Sequence, residues 1–352
     1  MAGLNINETI NELQESKNIP REELITALES ALASAYRKNF GPSSNIEVQI
    51  TDQGIKVFSV FEVVDEVEDE TLHISLEEAK QKKESGDVAV GELLKEEITP
   101  DRFGRIAAQT AKQVIMQKIR EAERRLTYGA FIEKVGTLIV GKVQRFDRGD
   151  ILVDHMGLEM LLPSSEQIPG ERYRSGDRVK ALISEVNKTA KGPQIVLSRA
   201  NKEFLAKLFE QEIPEIQEGL VQLKSVAREP GIRAKVAVSC DDENVDPVGA
   251  CVGLRGSRIQ VIVNEVQGEK IDIVNWSEDI RAFVSAALSP AKPISIEYSE
   301  RAATVTVCVP KNQLSLAIGR EGQNVRLAAK LTNVKIDIVS ADEGDGGRPE
   351  PR

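Results

Sequence analysis

The first eighteen residues, "MAGLNINETINELQESKN", are polar and acidic and hold no apolar core of signal-peptide type. Beyond them, apolar residues recur at helical spacing through Leu24, Leu28, Ala31, Leu32 and Ala35, with Pro20 in the first turn, which predicts a helix over "IPREELITALESALASAYRKNF". "GPSS" breaks it. "NIEVQI" and "IKVFSVFEVV" then alternate as strands do, and "DEVEDE" reads as an acidic hairpin or loop. Ser75 and Glu78 form a capping-box pattern at the head of "SLEEAKQKK". Thr99 as N-cap and Pro100 at the first helical position predict a long helix reaching Phe131. At about 100° per residue, Arg105, Gln109, Lys112, Arg120 and Arg124 fall along one side of it, and Phe103, Ala107, Thr110 and Val114 along the other. Charge on an outer helix face ordinarily does no more than meet solvent. The functional reading of this face is a docking surface for an acidic partner or for RNA.

The pattern changes after residue 132. "VGTLIVGKVQRF", "GDILVDHMG", "LEMLLPSSE", "GDRVKALISEVNK" and "GPQIVLSRA" are five short strands separated by turns, which predicts a small barrel of the oligonucleotide-binding type over residues 133–200. Residues 201–222 read as a helical connector. The chain closes on "ADEGDGGRPEPR", a polar Gly/Pro-rich tail expected to be disordered.

Between connector and tail the sequence repeats itself. "VGACVGLRGSRIQVIVNEVQGEKIDIV" and "LSLAIGREGQNVRLAAKLTNVKIDIV" each run from an apolar residue into Gly-x-x-Gly, then a helical stretch, then "KIDIV". Gly253 to Gly319 is a step of 66 residues and Lys270 to Lys335 a step of 65. A lone Gly-x-x-Gly carries little information; the tail holds one at Gly344 and Gly347 with no helix around it. The other two share their surroundings, with Val252 or Ile318 before and Ile259 or Val325 three residues after. Each copy has a strand pair ahead of it, "VQLKSVAREP" with "IRAKVAVS" and "PISIEYS" with "AATVTVCVP". Ser277 is positioned to cap a helix in the segment joining the copies, "NWSEDIRAFVSAALSPAK".

The repeated loop suits a phosphate clamp. Glycine admits turns barred to other residues and lets another backbone approach closely. The second glycine starts a helix whose free N–H groups attract anions. Arg255 and Arg258 add charge in the first copy, and Arg320 and Arg326 in the second, while Glu321 opposes phosphate there. The alternative is a helix-turn-helix in which glycine only tightens the corner.

Composition narrows the function classes. At 352 residues the chain holds two to four domains. A net charge of −10 argues against general coating of nucleic acid but allows a local basic surface. No run of about 18 apolar residues is present, so no membrane role is expected. Cys240, Cys251 and Cys308 lack metal-type spacing and fit a reducing cytosol, and His73 and His155 leave little material for a metal site or a nucleophile relay.

The repeated unit resembles the KH domain, in which such a loop clamps single-strand backbone while bases rest in an apolar groove. The order of parts, with "DPVGACVGLRGSRIQVIVNEVQGEKIDIVNW", "LAIGREGQNVRLAAKLT" and the long helix "RIAAQTAKQVIMQKIREAERR", resembles the NusA family of bacterial transcription elongation and termination factors from residue 4 to about residue 340. The resemblance implies an α+β multidomain protein. Its parts are a mixed, helical N-terminal domain (1–132), a five-stranded S1-type barrel (133–200) and two tandem KH domains (201–277 and 278–341), with a tail at 342–352. It implies binding to RNA polymerase through the first domain and to the emerging single-stranded transcript through the rest, modulating pausing, termination and antitermination. Other antitermination factors are possible partners. A cytoplasmic monomer without catalysis, cofactor or metal is expected. The polymerase-facing role carries over to Arg105, Lys112, Arg120 and Arg124. RNA contact carries over to Gly253, Leu254, Arg255, Gly256, Ser257 and Arg258, and to Gly319, Arg320, Glu321, Gly322, Gln323 and Arg326. Two departures stand out. The barrel is poor in base-stacking aromatics, with Phe146, Tyr173 and His155 as its few candidates. Acidic repeats that some members carry after the second KH unit are not present in this sequence.

Enzyme readings find little support. "GTLIVGKV" is one residue short of a P-loop and has Val143 where a magnesium-binding Ser or Thr is needed. Neither histidine is followed by aspartate, as a His-Asp phosphohydrolase requires. Asp147, Asp150 and Asp154 read as turn residues of the barrel rather than a metal site. The stronger alternative is a ribosome-associated or RNA-chaperone protein built from the same S1 and KH parts.

Overall fold

The computed structural model describes residues 6–17, 19–41, 45–51, 54–82, 88–100, 102–242 and 244–341; the tail expected at 342–352 lies outside them. The chain divides into two compact units, residues 1–129 and 130–352.

The first unit runs α1 (Ile6–Lys17), α2 (Arg21–Phe40), β1 (Ile46–Thr51), β2 (Gly54–Val64), β3 (His73–Ser75), α3 (Leu76–Lys82), β4 (Leu93–Glu97) and α4 (Phe103–Ile132). The helical period of α2 buries Leu24, Leu28, Leu32, Ala33 and Tyr36. Ser75 accepts the Glu78 amide at 3.3 Å, as the capping pattern predicts. The expected start of α4 is corrected. Thr99 does not cap it, because its hydroxyl accepts the Val57 amide of the neighbouring strand at 2.9 Å, and the helix begins at Phe103. Phe103, Ala107, Ala111, Ile115 and Ala122 form the buried stripe of α4. The four strands make one sheet, β1-β2-β3, with β4 paired to β2. The strands β3 and β4 fall outside the expected elements; both are short, and β4 is held by polar cross-strand pairs such as Lys56–Glu97 at 2.9 Å.

The second unit opens with the five expected barrel strands, β5 (Leu138–Asp147), β6 (Asp150–His155), β7 (Leu158–Leu162), β8 (Arg178–Thr189) and β9 (Gly192–Ser198), closed in the order β5-β6-β7-β9-β8. Alternate residues point inward: Ile151 and Val153 on β6, Met160 and Leu162 on β7, Ile195 and Leu197 on β9. A Cβ on Gly141 would meet Val153 Cγ1 at 2.3 Å and the Asp154 carbonyl at 2.8 Å, so β5 needs glycine where it crosses β6. The "GTLIVGKV" segment is therefore a barrel strand and its lead-in. Asp147 and Asp150 face each other across a hairpin turn, and Asp150 accepts the Ser164 amide at 2.8 Å.

Two units of identical topology follow. The first comprises α5 (Lys202–Glu212), α6 (Pro214–Gln217), β10 (Val221–Glu229), β11 (Arg233–Cys240), α7 (Pro247–Val252), α8 (Ser257–Glu265) and β12 (Lys270–Asn275). The second comprises α9 (Ile280–Ala287), β13 (Ser295–Ser299), β14 (Thr304–Pro310), α10 (Leu314–Ile318), α11 (Gln323–Thr332) and β15 (Lys335–Ala341). In each, an antiparallel pair is extended by a parallel third strand, and both parallel pairings run through "KIDIV".

Residues 201–222 are more than the connector expected of them. Phe204, Leu205, Leu208 and Phe209 of α5 are fully buried with Val236, Ile262 and Val266, each contributing about 1.5–3 kcal/mol by burial. α5 is thus the first core helix of its unit, and α9 takes the same place in the second through Phe283, Val284, Ala287 and Leu288. α9 is capped by Asp279 rather than Ser277. Asp279 accepts the Arg281 amide, and Ser277 accepts the Asp279 amide one step earlier.

The two units share one core. Ala227, Ala237 and Val274 of the first sheet pack with Leu327, Ala328 and Leu331 of α11. Lys235, whose side chain is out of contact with solvent, reaches from the first sheet to Asp272 at 3.2 Å and to the Ser289 carbonyl at 3.0 Å; burial lowers its pKa.

Candidate nucleic-acid interface

The two Gly-x-x-Gly loops have one backbone. Gly253 and Gly319 lie at φ/ψ of 74°/174° and 75°/171°, and Gly256 and Gly322 at 78°/15° and 72°/14°. Between them Arg255 and Glu321 are held in the left-handed region at φ 54°. The first glycine is required twice over. Its φ/ψ is open to little but glycine, and a Cβ there would meet the side chain of Arg258 at 2.7 Å, or the Asn324 amide nitrogen at 2.7 Å in the second copy.

Arg258 and Asn324 are equivalent, 66 residues apart, and do the same work with different chemistry. Arg258 donates to the Ala250 carbonyl at 2.7 Å, and Asn324 Nδ2 donates to the equivalent Leu316 carbonyl at 3.3 Å and to Ala317 at 3.1 Å. Each closes the helix before the loop onto the helix after it. Neither α8 nor α11 has a side-chain cap, so the first amides of each helix open toward the loop.

Side-chain placement separates the expected contact residues into two groups. Leu254 is 85% exposed, Arg255 and Ser257 are exposed, and Arg255 has no hydrogen bond or ion pair among the described residues. Arg320 and Glu321 are likewise exposed, with 3.6 Å between them. Arg258, Gln323 and Arg326 are instead engaged within the protein, so the charge that Arg258 and Arg326 bring to the loops is paired. Arg258 pairs with both Glu215 oxygens at 2.8 and 2.9 Å, and its hydrogen bond holds the Glu215 carboxyl below the ordinary glutamate pKa. Arg326 and Gln323 both donate to Glu229, at 2.6 and 2.9 Å, and the Arg326 bond lowers the Glu229 pKa in the same way. Glu215, Glu229 and Asn324 are the residues that sequence reasoning missed. Glu215 and Glu229 meet partners 43 and 94 to 97 residues away, which no local pattern marks, and Asn324 bonds Leu316 and Ala317, eight and seven residues before it.

The barrel offers few stacking groups. Phe146 is 49% exposed and available. Tyr173 is half-buried: its hydroxyl donates to Glu171, and its ring lies 6.0 Å from the Arg199 guanidinium, which pairs with Glu171 of the barrel and Glu265 of α8. His155 Nδ1 lies 2.9 Å from the Val140 carbonyl. In the first unit, Arg105, Lys112, Arg120 and Arg124 are all exposed on α4, and Gln109, Gln113, Met116 and Glu121 line one surface with Lys112, Arg120 and Arg124.

Comparison with known proteins accounts for every part of this arrangement. Residues 5–125 match the NusA N-terminal domain, 133–198 the S1 RNA binding domain, 199–276 the NusA-like first KH domain and 280–345 the NusA-like second KH domain. The chain is 51% identical over 338 residues to the transcription termination/antitermination protein NusA of Halalkalibacterium halodurans, covering 96% of this chain and 88% of that protein. It is 52% identical over 330 residues to the Bacillus subtilis protein of the same name, covering 93% and 88%. The Thermus thermophilus NusA is 40% identical over 351 residues, covering 96% and 90%. With its four segments matched in sequence order and these identities sustained over nearly the whole length, the chain belongs to the NusA family.

Proposed function

We propose that this protein is a non-catalytic transcription factor that binds RNA polymerase through residues 1–132 and the nascent single-stranded RNA through its barrel and two KH units, modulating pausing, termination and antitermination. The observation that carries the reading is the pair of Gly-x-x-Gly loops with matching backbone dihedral angles on one fused core. Each loop combines positive-φ glycines, an uncapped helix start and exposed side chains, which together suit the backbone of a single strand. Fusion through α11 fixes the spacing between the loops, so the second contact gains from effective concentration. The names of the relatives, which speak of termination and antitermination, support the same reading. The protein acts in the cytoplasm as a monomer, and RNA polymerase and the transcript are its partners.

Labelled single-stranded RNA titrated with the full chain tests it. Binding should weaken steeply with salt. Replacing Leu254 and Arg255 with aspartates should weaken it, as should replacing Arg320 and Glu321, and the combined variant should nearly abolish it with circular dichroism unchanged. Full affinity in a folded combined variant would sink the reading.

A further inference from the structure

The loops share a backbone but not an electrostatic setting. In the first copy Arg255 has no hydrogen bond or ion pair among the described residues, and the position equivalent to Arg326 is Gln260, which donates to Asn264 at 2.8 Å on its own helix. In the second copy Glu321 occupies the place of Arg255 and lies 3.6 Å from the exposed Arg320, whose charge it offsets. Its other cation, Arg326, is pinned between two groups: Nη1 donates to the Glu321 carbonyl of the loop at 3.2 Å, and Nε donates to Glu229 at 2.6 Å. The guanidinium therefore lies against the loop, where a phosphate passing over it would come within reach. Glu229 comes from the end of β10 in the other KH unit, and its side chain is 17% exposed. Lys330, also on α11, attracts Glu229 as well, less strongly than Arg326 does.

We propose that Glu229 is a specificity-determining residue of the second loop: it withholds the Arg326 guanidinium from phosphate, so that the second loop holds its stretch of strand with little charge while the first holds by charge through Arg255. The inference rests on the reading of both loops as RNA clamps. It makes the second loop the one more dependent on base identity, and the first the one more dependent on salt. It also ties the setting of one KH unit to a side chain of the other, which a separated second unit would lack.

The test uses the full chain and a labelled single-stranded RNA, with affinity measured across a salt series. Glu229→Gln keeps an acceptor for Gln323 but removes the charge that holds Arg326. It should bind more tightly than the wild type, and the logarithmic salt slope should steepen by about 0.7, the value of one added phosphate contact. The gain should shrink by about threefold between about 50 and about 200 mM salt. Arg326→Gln alone should change affinity by less than about twofold, whereas Arg255→Gln should weaken binding and flatten the slope by about 0.7. The double variant Glu229→Gln/Arg326→Gln should return close to the wild type. An E229Q protein that binds no better than wild type overturns the proposal, as does an R326Q loss equal to that of R255Q. The second comparison decides the matter even if E229Q fails to fold. Absence of RNA binding by the wild type would instead overturn the clamp reading itself, whatever Glu229 does.

Discussion

Arg228 and Glu269 form an ion pair that neither side chain shares with solvent: 2.9 Å separates Nη2 from Oε2, and their exposures are 1% and 0%. Every remaining polar group of the pair is used. Arg228 Nη1 donates to the carbonyls of Arg199 and Asn201 at 2.6 and 2.8 Å, and Glu269 accepts the Gly231 amide at 3.0 Å. The pair thus ties the chain leaving the barrel to the first KH sheet. Beside it Arg199 spans from Glu171 of the barrel at 2.6 Å to Glu265 of α8 at 2.9 Å, and the ring of Phe204 lies under both guanidinium groups.

Removing one partner of this pair should be far more costly than removing both. Glu269→Gln or Arg228→Met leaves a buried charge without compensation, and each should destabilise the protein by about 3–5 kcal/mol. Arg228→Met with Glu269→Leu should recover much of that loss. Urea unfolding of the three variants followed by circular dichroism checks the order; single variants as stable as the wild type would contradict the burial argument.

The two glycines of the second loop should differ in their tolerance of alanine. Gly319→Ala puts a Cβ 2.7 Å from the Asn324 amide nitrogen in a backbone region closed to L residues, so the helix–loop–helix must open. Gly322→Ala meets nothing within 4 Å and costs only the left-handed conformation, about 1–2 kcal/mol. Thermal melting should therefore fall further for G319A than for G322A, and RNA affinity should fall with it. Equal melting temperatures would show that the close approach to Asn324 relaxes freely.

Charge reversal on α4 should separate the two binding activities. Arg105→Glu with Lys112→Glu changes two exposed side chains on the face opposite the buried stripe of Phe103, Ala107 and Ala111. Capture of RNA polymerase from RNase-treated lysate should drop severalfold, while affinity for single-stranded RNA stays at the wild-type value. Loss of both together would place this helix face in the RNA site. Recovery of ribosomal proteins in place of polymerase subunits would favour the ribosome-associated alternative.

Local patterns in the sequence determine much of this protein's secondary structure. Short apolar runs between turns marked all five barrel strands, alternation marked β1 and β2, and the helical period marked α2 and the two sides of α4, because those patterns are imposed by one buried face of each element. The Gly-x-x-Gly loops and "KIDIV" revealed the duplication, since a loop that needs three positive-φ residues leaves a glycine signature in the sequence. Capping was less legible. Thr99 and Ser277 have the right side chains for an N-cap, but a neighbouring strand claims one and Asp279 replaces the other.

Whatever depends on a partner far along the chain was decided by tertiary structure alone. α5 looks like a connector because its sequence does not recur in α9; only packing shows that the two fill the same place. Glu215 meets Arg258 across 43 residues, and Glu229 meets Arg326 across 97, so the pairing of these charges at the candidate RNA contacts has no local trace. The same holds for where the KH stack stops. By strand pairing, Ala227 of the first sheet corresponds to Glu297 of the second, since their partners Lys235 and Thr306 lie beside the matching aspartates, Asp272 and Asp337, of the repeated "KIDIV". Ala227 is buried because α11 covers it, and Glu297 is exposed. An alanine or a glutamate on a strand fits either outcome in sequence; which face receives a helix is fixed only when the two units fold against each other, because burial of apolar area there depends on both surfaces at once.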